Sequence, residues 1–168
     1  TGQCNWVGKE DLKKIIERAK VISPNLIGKV SPPLLDFYGR PFMKDIDGNI
    51  YSLEDINAKY TIVLFYEGTS NFQKEAITGV KNLVEEINKN YNTQTQVLSI
   101  YTGFSKSTWR NVIKNHQINE WSNVADINHD TEGNPVASSD WRDQYDIYST
   151  PVIYLLDGCK KIVAKRVT

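Results

Sequence analysis

The hydrophobic residues of this chain form short continuous runs separated by an amphipathic segment. Residues 60–66 are a run of Ile, Val, Leu, Phe, Thr and Tyr, which predicts a strand buried on both faces of a sheet. Residues 96–101 form a second, shorter run. Between the two runs, apolar residues recur at i, i+3, i+4 and i+7, the spacing of one helix face. This stripe consists of Val80, Leu83, Val84 and Ile87.

The segment between the two runs contains a turn followed by the helix. Residues 67–71 comprise a glutamate, a glycine and three small polar residues, so Ser70 or Asn71 is expected to cap the helix N-terminus. The helical pattern ends near Lys89. Strand, helix and strand in this order predict a right-handed crossover between parallel strands.

Two β-hairpins are predicted around Asp-Gly turns. Near the end of the chain, Asp157-Gly158 separates the apolar runs 152–156 and 161–165. Before the first strand, residues 45–51 predict a smaller hairpin, followed by one helical turn over 53–56. A further helix is predicted over 106–115.

Length and charge indicate one α/β domain. The chain has 168 residues, of which 40% are hydrophobic, enough for one sizeable core. Twenty basic and twenty acidic residues cancel, and no basic run is interleaved with aromatic residues, so no nucleic-acid partner is expected. No apolar stretch approaches the roughly 20 residues of a membrane-spanning helix. Residues 1–26 are expected to form an N-terminal helical linker, with the domain at 27–168.

Four motifs follow one another between residues 27 and 167. They are Gly28-Lys29 with Ser31-Pro32, the hairpin segment Asp45-x-Asp47-Gly48-x-x-Tyr51-Ser52-Leu53, the strand 61–66, and Tyr145-Asp146-Ile147-x-x-Thr150-Pro151 ahead of 154–157. In this order and spacing they resemble the thioredoxin-like AhpC/TSA superfamily, in particular the TlpA-like domains of bacterial cell-envelope proteins. The resemblance implies a thioredoxin-like α/β fold with a central mixed β-sheet flanked by helices, extended by an N-terminal helix and a β-hairpin.

In that family the turn after the first central strand carries a Cys-x-x-Cys redox pair, which this chain lacks. Without a gap, Ser70 falls on the nucleophilic cysteine and Gln73 on the resolving one. The redox reaction needs a thiolate at a helix N-terminus and a second thiol that resolves the mixed disulfide. A serine hydroxyl supplies neither, and no base or nucleophile elbow accompanies Ser70. A catalytic pair is therefore not expected at these two degenerate positions.

The resemblance also implies a binding groove. In thioredoxin-like proteins the proline at the position of Pro151 is cis, and the backbone of the preceding residue can pair with an extended peptide. The candidate binding residues are Thr69, Ser70, Asn71, Phe72, Thr150 and Pro151. The alternative is that the proline serves only the fold. Tyr66, Phe72 and Trp141 could add aromatic contact area, although core packing is the expectation for each.

The two cysteines leave several alternatives open. Cys4 and Cys159 are 155 positions apart and form neither a Cys-x-x-Cys pair nor a zinc pattern. They could be unrelated thiols, or they could form a disulfide with each other that stabilises the fold by roughly 5 kcal/mol in the chain-entropy model. The remaining alternatives are pairing between molecules and bonding of Cys4 within a further domain. A catalytic role for Cys159 is not expected, because a hairpin tip offers no helix N-terminus.

Other polar residues suggest no metal or proton relay. Asp126, Asn128 and Asp130 alternate like the start of a calcium loop, but Thr131 and Ala137 stand where Gly and Glu are required. A solvated loop is predicted instead. His116 and His129 are expected at the surface.

The sequence therefore leaves two candidate functions. The first is a redox-inactive thioredoxin-fold module that binds a protein, peptide or small ligand beside the degenerate turn. The alternative is a thiol-disulfide oxidoreductase or antioxidant that uses Cys4, Cys159 or a partner's thiol. No cofactor or metal is expected. By resemblance, the chain is expected in the periplasm or cell envelope, as part of a longer envelope protein.

Overall fold

The computed structural model describes residues 27–91 and 94–165. The strands are β1 (Met43–Lys44), β2 (Ile50–Tyr51), β3 (Tyr60–Tyr66), β4 (Thr95–Tyr101), β5 (Ser122–Ala125), β6 (Val152–Asp157) and β7 (Ile162–Lys165). The helices are α1 (Asn71–Tyr91), α2 (Lys106–His116) and α3 (Trp141–Gln144), and Leu53–Asp55 form a 3-10 turn. The predicted N-terminal linker, residues 1–26, lies outside the described residues.

The strands form one mixed seven-stranded sheet in the order β2-β1-β5-β4-β3-β6-β7. β3 pairs in parallel with β4, as predicted for the crossover unit, and antiparallel with β6. Both predicted hairpins are confirmed, because β1 pairs antiparallel with β2 and β6 with β7. This mixed sheet flanked by helices confirms the predicted thioredoxin-like fold.

β3 is buried on both faces because its side chains alternate between two cores. Ile62, Leu64 and Tyr66 belong to the core beneath α1 and α2. Val63 and Phe65 point to the opposite core. A continuous apolar run is what such a central strand requires.

Different elements close the two cores. α1 contributes Ile77 and Val80 and α2 contributes Trp109 and Val112 to the core on one face. On the other face, the Phe65 ring lies 5.9 Å from Trp141 and 5.1 Å from Tyr145, centroid to centroid. The side chains of α3 and the residues after it therefore complete the second core.

Two short elements were not predicted from the sequence. β5 and α3 have four residues each, too few for a period to be recognised. The longer elements match their predictions closely: α1 continues two residues past Lys89, β4 begins one residue early at Thr95 and α2 ends at His116.

The prediction of a solvated loop after β5 is correct for Asp130 and wrong for Asp126. Asp130 anchors an exposed turn, accepting hydrogen bonds from the backbone N–H groups of Glu132 and Asn134 at 2.9 and 2.8 Å. Asp126 is only 4% exposed. Its burial is tolerated because four donors surround the carboxylate. They are Asn128 Nδ2 at 2.8 Å, Ser138 N at 3.0 Å, Ser138 Oγ at 2.6 Å and Trp141 Nε1 at 3.1 Å.

No helix within residues 27–91 and 94–165 is long and apolar enough to cross a membrane. In the same ranges, no cluster of three or more His, Cys, Asp or Glu side chains could hold a metal ion.

We predict that Asp126→Asn lowers the free energy of unfolding by about 2–4 kcal/mol. A carboxylate only accepts hydrogen bonds, whereas an amide would turn an N–H₂ group towards one of these buried donors. Chemical denaturation followed by tryptophan fluorescence measures the change. Asp47→Asn, at an exposed turn position, is the matched control and should change stability by less than about 0.5 kcal/mol. Equal effects of the two substitutions would contradict this account of Asp126.

Candidate functional site

The turn after β3 lies at the carboxyl end of the central strand and leads directly into α1. Gly68 has a positive φ of 67°, a conformation that favours glycine. Thr69 and Ser70 are exposed, and the carbonyl oxygen of Ser70 accepts a hydrogen bond from Lys74 N at 3.1 Å. Since α1 begins at Asn71, Ser70 occupies the N-cap position, one of the two predicted.

Gln73 lies in the first turn of α1, and its side chain faces inward. It is 5% exposed. Its Oε1 accepts a hydrogen bond from the backbone N–H of Glu67 at 3.0 Å, and its Nε2 donates to Thr150 Oγ1 at 3.1 Å. One amide group therefore joins the end of β3 to the segment before β6. The sequence reading treated Gln73 only as the residue that replaces a thiol and missed this bridge.

The Thr150–Pro151 peptide bond is cis, as the resemblance implies. Val152, the next residue, pairs with Phe65 of β3. Because β6 runs antiparallel to β3, its first residue lies at the end of β3 where the turn begins. The sheet register thus places Pro151 beside Ser70 although 81 positions separate them in the chain.

An open groove of about 770 Å³ lies between α1 and the segment that leads into β6. Four of the predicted binding residues line it, namely Ser70, Phe72, Thr150 and Pro151. Thr69 and Asn71 are exposed on the same turn but do not line the groove. The structure thus brings together the predicted turn and proline segment, whereas their role in binding stays a prediction.

The three candidate aromatic residues have different positions. Tyr66 and Trp141 are fully buried, which agrees with core packing and removes them from the groove. Burial also raises the pKa of the Tyr66 hydroxyl. For Phe72 the expectation of core packing is wrong, because its side chain is 75% exposed and lines the groove. It lies in the first turn of α1, on the groove side.

The groove also extends along α1, beyond the residues that the sequence reading named. Its helical wall includes Ala76, Gly79, Val80 and Leu83. Val80 and Leu83 belong to the apolar stripe that was assigned to the core, yet Leu83 remains partly exposed. The signal in the sequence was Gly79, a glycine inside the predicted helix. The sequence could not show that the fold leaves part of the apolar stripe uncovered.

The groove is lined by apolar, polar and acidic side chains. Its polar groups include the Ser70 and Thr150 hydroxyls, the Gln73 and Asn82 amides and the carboxylates of Glu75 and Glu86, and its lining has no cysteine or histidine. His129 is exposed and His116 partly buried, both outside this lining. Ser70 therefore has no histidine in the groove to act as a base.

Cys159 lies at the other end of the sheet. Asp157, two residues before it, pairs with Tyr60 at the start of β3, whereas the turn follows Tyr66 at the end. The seven residues of β3 separate the two ends by about 20 Å, so Cys159 does not replace the missing thiols of the turn. Cys4 lies outside the described residues, and its pairing with Cys159 stays a prediction.

Solved structures similar to this chain include domains described as thiol-disulfide oxidoreductases or as a possible thiol-disulfide isomerase. A domain of a possible thiol-disulfide isomerase from Cytophaga hutchinsonii is 32% identical, with a TM-score of 0.63 over 84% of both chains. A thiol-disulfide oxidoreductase from Bacteroides fragilis is 24% identical, with a TM-score of 0.61 over 83% of this chain and 91% of that chain. The thioredoxin domain of a thiol-disulfide oxidoreductase from Bacteroides vulgatus is 23% identical, with a TM-score of 0.62 over 84% and 88%. No protein-family model and no curated protein matches the chain.

A double-mutant cycle tests the bridge formed by Gln73. We predict that Gln73→Leu lowers the free energy of unfolding by about 1–3 kcal/mol, because Glu67 N–H and the Thr150 hydroxyl each lose a partner. Thr150→Val removes only the second contact. The two substitutions should couple by at least about 0.5 kcal/mol in urea denaturation. Strictly additive effects would show that the contact between Gln73 and Thr150 contributes no stability.

A substitution at Gly79 tests the helical wall. Gly79 is exposed, and a Cβ added there would meet nothing within 4 Å. We predict that Gly79→Ala raises the free energy of unfolding by about 0.5–1 kcal/mol, since glycine is unfavourable inside a helix. Gly68→Ala is the contrasting control and should lower stability, because the φ of Gly68 is positive. Thermal and urea denaturation distinguish the two signs, and a loss of stability in Gly79→Ala would contradict the assignment of open space.

Proposed function

We propose that this chain, which belongs to the thioredoxin-like family of thiol-disulfide oxidoreductase domains, is a redox-inactive member that binds a protein or peptide segment. Binding takes place in the groove between the turn at Ser70 and the segment Thr150-Pro151. The observation that carries the proposal is the Gln73 amide, which stands where the resolving thiol would be and joins Glu67 to Thr150.

The chemistry of the two motif positions supports the absence of redox activity. Thiol-disulfide exchange requires a thiolate that attacks a disulfide sulfur and a second thiol that releases the product. Ser70 is exposed at the helix N-terminus, where a cysteine thiolate would be stabilised, but a serine hydroxyl stays protonated and forms no disulfide. Gln73 is buried and both ends of its amide are hydrogen-bonded, so this position now has a structural role.

The form of the groove supports binding. The bridge through Gln73 connects the two segments that flank the groove, so their separation is set before a ligand arrives. Such pre-organisation lowers the conformational entropy lost on binding. Phe72 presents most of an aromatic ring to solvent at the mouth of the groove, and exposed aromatic residues are enriched at binding surfaces. A groove of about 770 Å³ lies within the range of protein ligand sites.

The second candidate function is the thiol-disulfide oxidoreductase activity named for the similar structures. The identity of 32% to a domain of a possible thiol-disulfide isomerase favours it. It would need Cys4, Cys159 or a thiol from another protein. The separation of Cys159 from the turn by the length of β3 argues against its direct use in the groove.

We further propose a periplasmic or cell-envelope location, within a longer envelope protein. The similarity to thiol-disulfide oxidoreductase domains supports it, because proteins with stable disulfide bonds, on which such domains act, occur mainly in oxidising compartments. Binding rather than catalysis would then be the contribution of this domain.

We predict that the unmodified domain does not accelerate the reduction of insulin disulfides by dithiothreitol, because the groove contains no thiol. The double variant Ser70→Cys/Gln73→Cys should gain activity, since it restores a thiol at the N-terminus of α1 and a second thiol one turn later. Insulin turbidity beside an active thioredoxin measures both.

Ser70→Cys alone is the matched control and should remain near the uncatalysed rate, because it lacks the resolving thiol. Activity of the unmodified domain would overturn the redox-inactive proposal. A Cys159→Ser variant would then reveal whether Cys159 is responsible.

A further inference from the structure

A second groove lies at the edge of the sheet formed by β2 and β1, opposite β7. Its volume is about 800 Å³, which is within the range of small-molecule sites. It is lined by the turn over residues 36–40, by both arms of the loop over 128–138, and by Lys44 and Ile50 of the β1–β2 hairpin. The two grooves share no lining residue, so this one is a separate candidate site.

Large hydrophobic side chains are concentrated on this surface. Of the nine that are exposed in the described part of the chain, four line this groove, namely Phe37, Tyr38, Ile50 and Val136. Tyr38 is the most accessible of them, with 83% of its surface exposed. Exposed apolar residues scattered singly need no explanation, whereas a cluster of them on one surface usually marks an interaction site.

The turn that carries Tyr38 is fixed by hydrogen bonds to Asp36. The Asp36 carboxylate accepts from the backbone N–H groups of Tyr38 and Arg40 at 2.8 and 2.9 Å. It also forms an ion pair with the Arg40 guanidinium at 3.0 Å, and this guanidinium lies 5.1 Å from the centroid of the Tyr38 ring. The cation–π contact supports the ring from one side. A ring that is positioned in advance loses less conformational entropy when a ligand stacks on it.

The loop over 128–138 is fixed by the same device. Within it, the Asp130 carboxylate accepts hydrogen bonds from the backbone N–H and the side-chain amide of Asn134 at 2.8 and 3.1 Å. Its two arms are joined through the buried Asp126, which accepts hydrogen bonds from Asn128 and Ser138. Both walls of the groove are therefore formed before a ligand arrives.

The charged residues that line the groove balance one another. They are Asp36, Arg40, Lys44 and Asp130, two acidic and two basic, so the lining has no net charge that would select an anion or a cation. Tyr38, Lys44 and His129 are exposed here, and their side chains can donate and accept hydrogen bonds. The groove thus combines aromatic surface with a mixed set of polar groups.

This combination matches a neutral sugar. A pyranose ring presents C–H groups on its faces and hydroxyl groups around its edge. The C–H groups can pack on the face of an aromatic ring such as that of Tyr38, which has an apolar body and a polar hydroxyl. The hydroxyl groups both donate and accept hydrogen bonds, so Lys44 and His129 can both be satisfied by one ligand.

Other ligand classes fit the groove less well. A wholly apolar ligand would cover Lys44 and His129 without replacing their hydrogen bonds to water, which is unfavourable. An extended peptide would need a longer edge strand, because β2 has only two residues and offers too little backbone for an added strand.

We infer that this groove binds a neutral oligosaccharide, with one sugar ring stacked on Tyr38 and with hydroxyl groups hydrogen-bonded to Lys44 and His129. The site is separate from the groove beside Pro151, so the inference does not depend on the proposed function.

The test titrates the 15N-labelled domain with maltopentaose, cellopentaose, chitopentaose and pentagalacturonate. The first three are neutral and differ in linkage or substituents, whereas the fourth carries a carboxylate on each ring. In NMR spectra, at least one neutral sugar should bind with a Kd below about 1 mM and shift the backbone amides of residues 36–44 and 128–138, while those of 70–73 stay in place. Pentagalacturonate should bind no more tightly than this sugar, because the lining has no net charge.

Matched variants locate the binding in the groove. Tyr38→Ala should weaken the neutral sugar by about fivefold or more, because the stacked ring is lost. Lys44→Met should weaken it by about 2- to 10-fold through the loss of a hydrogen bond. Tyr91→Ala removes an exposed aromatic residue outside the lining and should leave the affinity unchanged.

Four outcomes would overturn the inference. They are no binding of any neutral sugar, tighter binding of pentagalacturonate, an unchanged affinity in Tyr38→Ala, and amide shifts at 70–73 instead of at 36–44. Sedimentation velocity adds a further check. Self-association of the unmodified domain that Tyr38→Ala abolishes, without sugar binding, would assign this surface to contacts between copies of the chain instead.

Discussion

The rest of the structure depends on the position of β3, which is buried on both faces and hydrogen-bonded to a neighbouring strand along both edges. Its side chains alternate between two cores, and its backbone pairs with β4 on one side and β6 on the other. A strand enclosed in this way cannot shift its register without moving both cores. The turn that follows it is therefore held at one place, and the antiparallel β6 delivers Pro151 to the same place.

Gln73 shows how a catalytic position can become a structural one. A redox pair needs an accessible first thiol and a second thiol within reach of it. A glutamine amide can instead satisfy a donor and an acceptor at the same time, and Gln73 does so between Glu67 and Thr150. The turn thereby lies beside the cis-proline, while Ser70 and Gln73 supply no thiol at this position. The scaffold and the reaction are separable in this fold.

The groove illustrates what a fold leaves uncovered. α1 is amphipathic, yet only part of its apolar stripe is fully buried: Val80 is enclosed, whereas Leu83 stays partly open. Exposed apolar surface on a monomer is often an interaction site. Along α1, the lining of the groove runs from Phe72 to Glu86, and Gly79 in the same helical wall carries no side chain.

The sequence by itself determined the long elements and the loss of the redox pair. Continuous apolar runs specified β3, β4 and β6, the helical period specified α1, and Ser70 and Gln73 could be read directly as non-thiols, because these signals are local. Only the tertiary structure decided that Gln73 joins Thr150, that Asp126 is buried among four donors, and that Phe72 faces solvent while Tyr66 and Trp141 do not. Each of these depends on contacts between residues far apart in the chain. The short strand β5 likewise depends on pairing with β4. Its four residues are too few for local propensity to specify a strand, so pairing and burial decide their conformation.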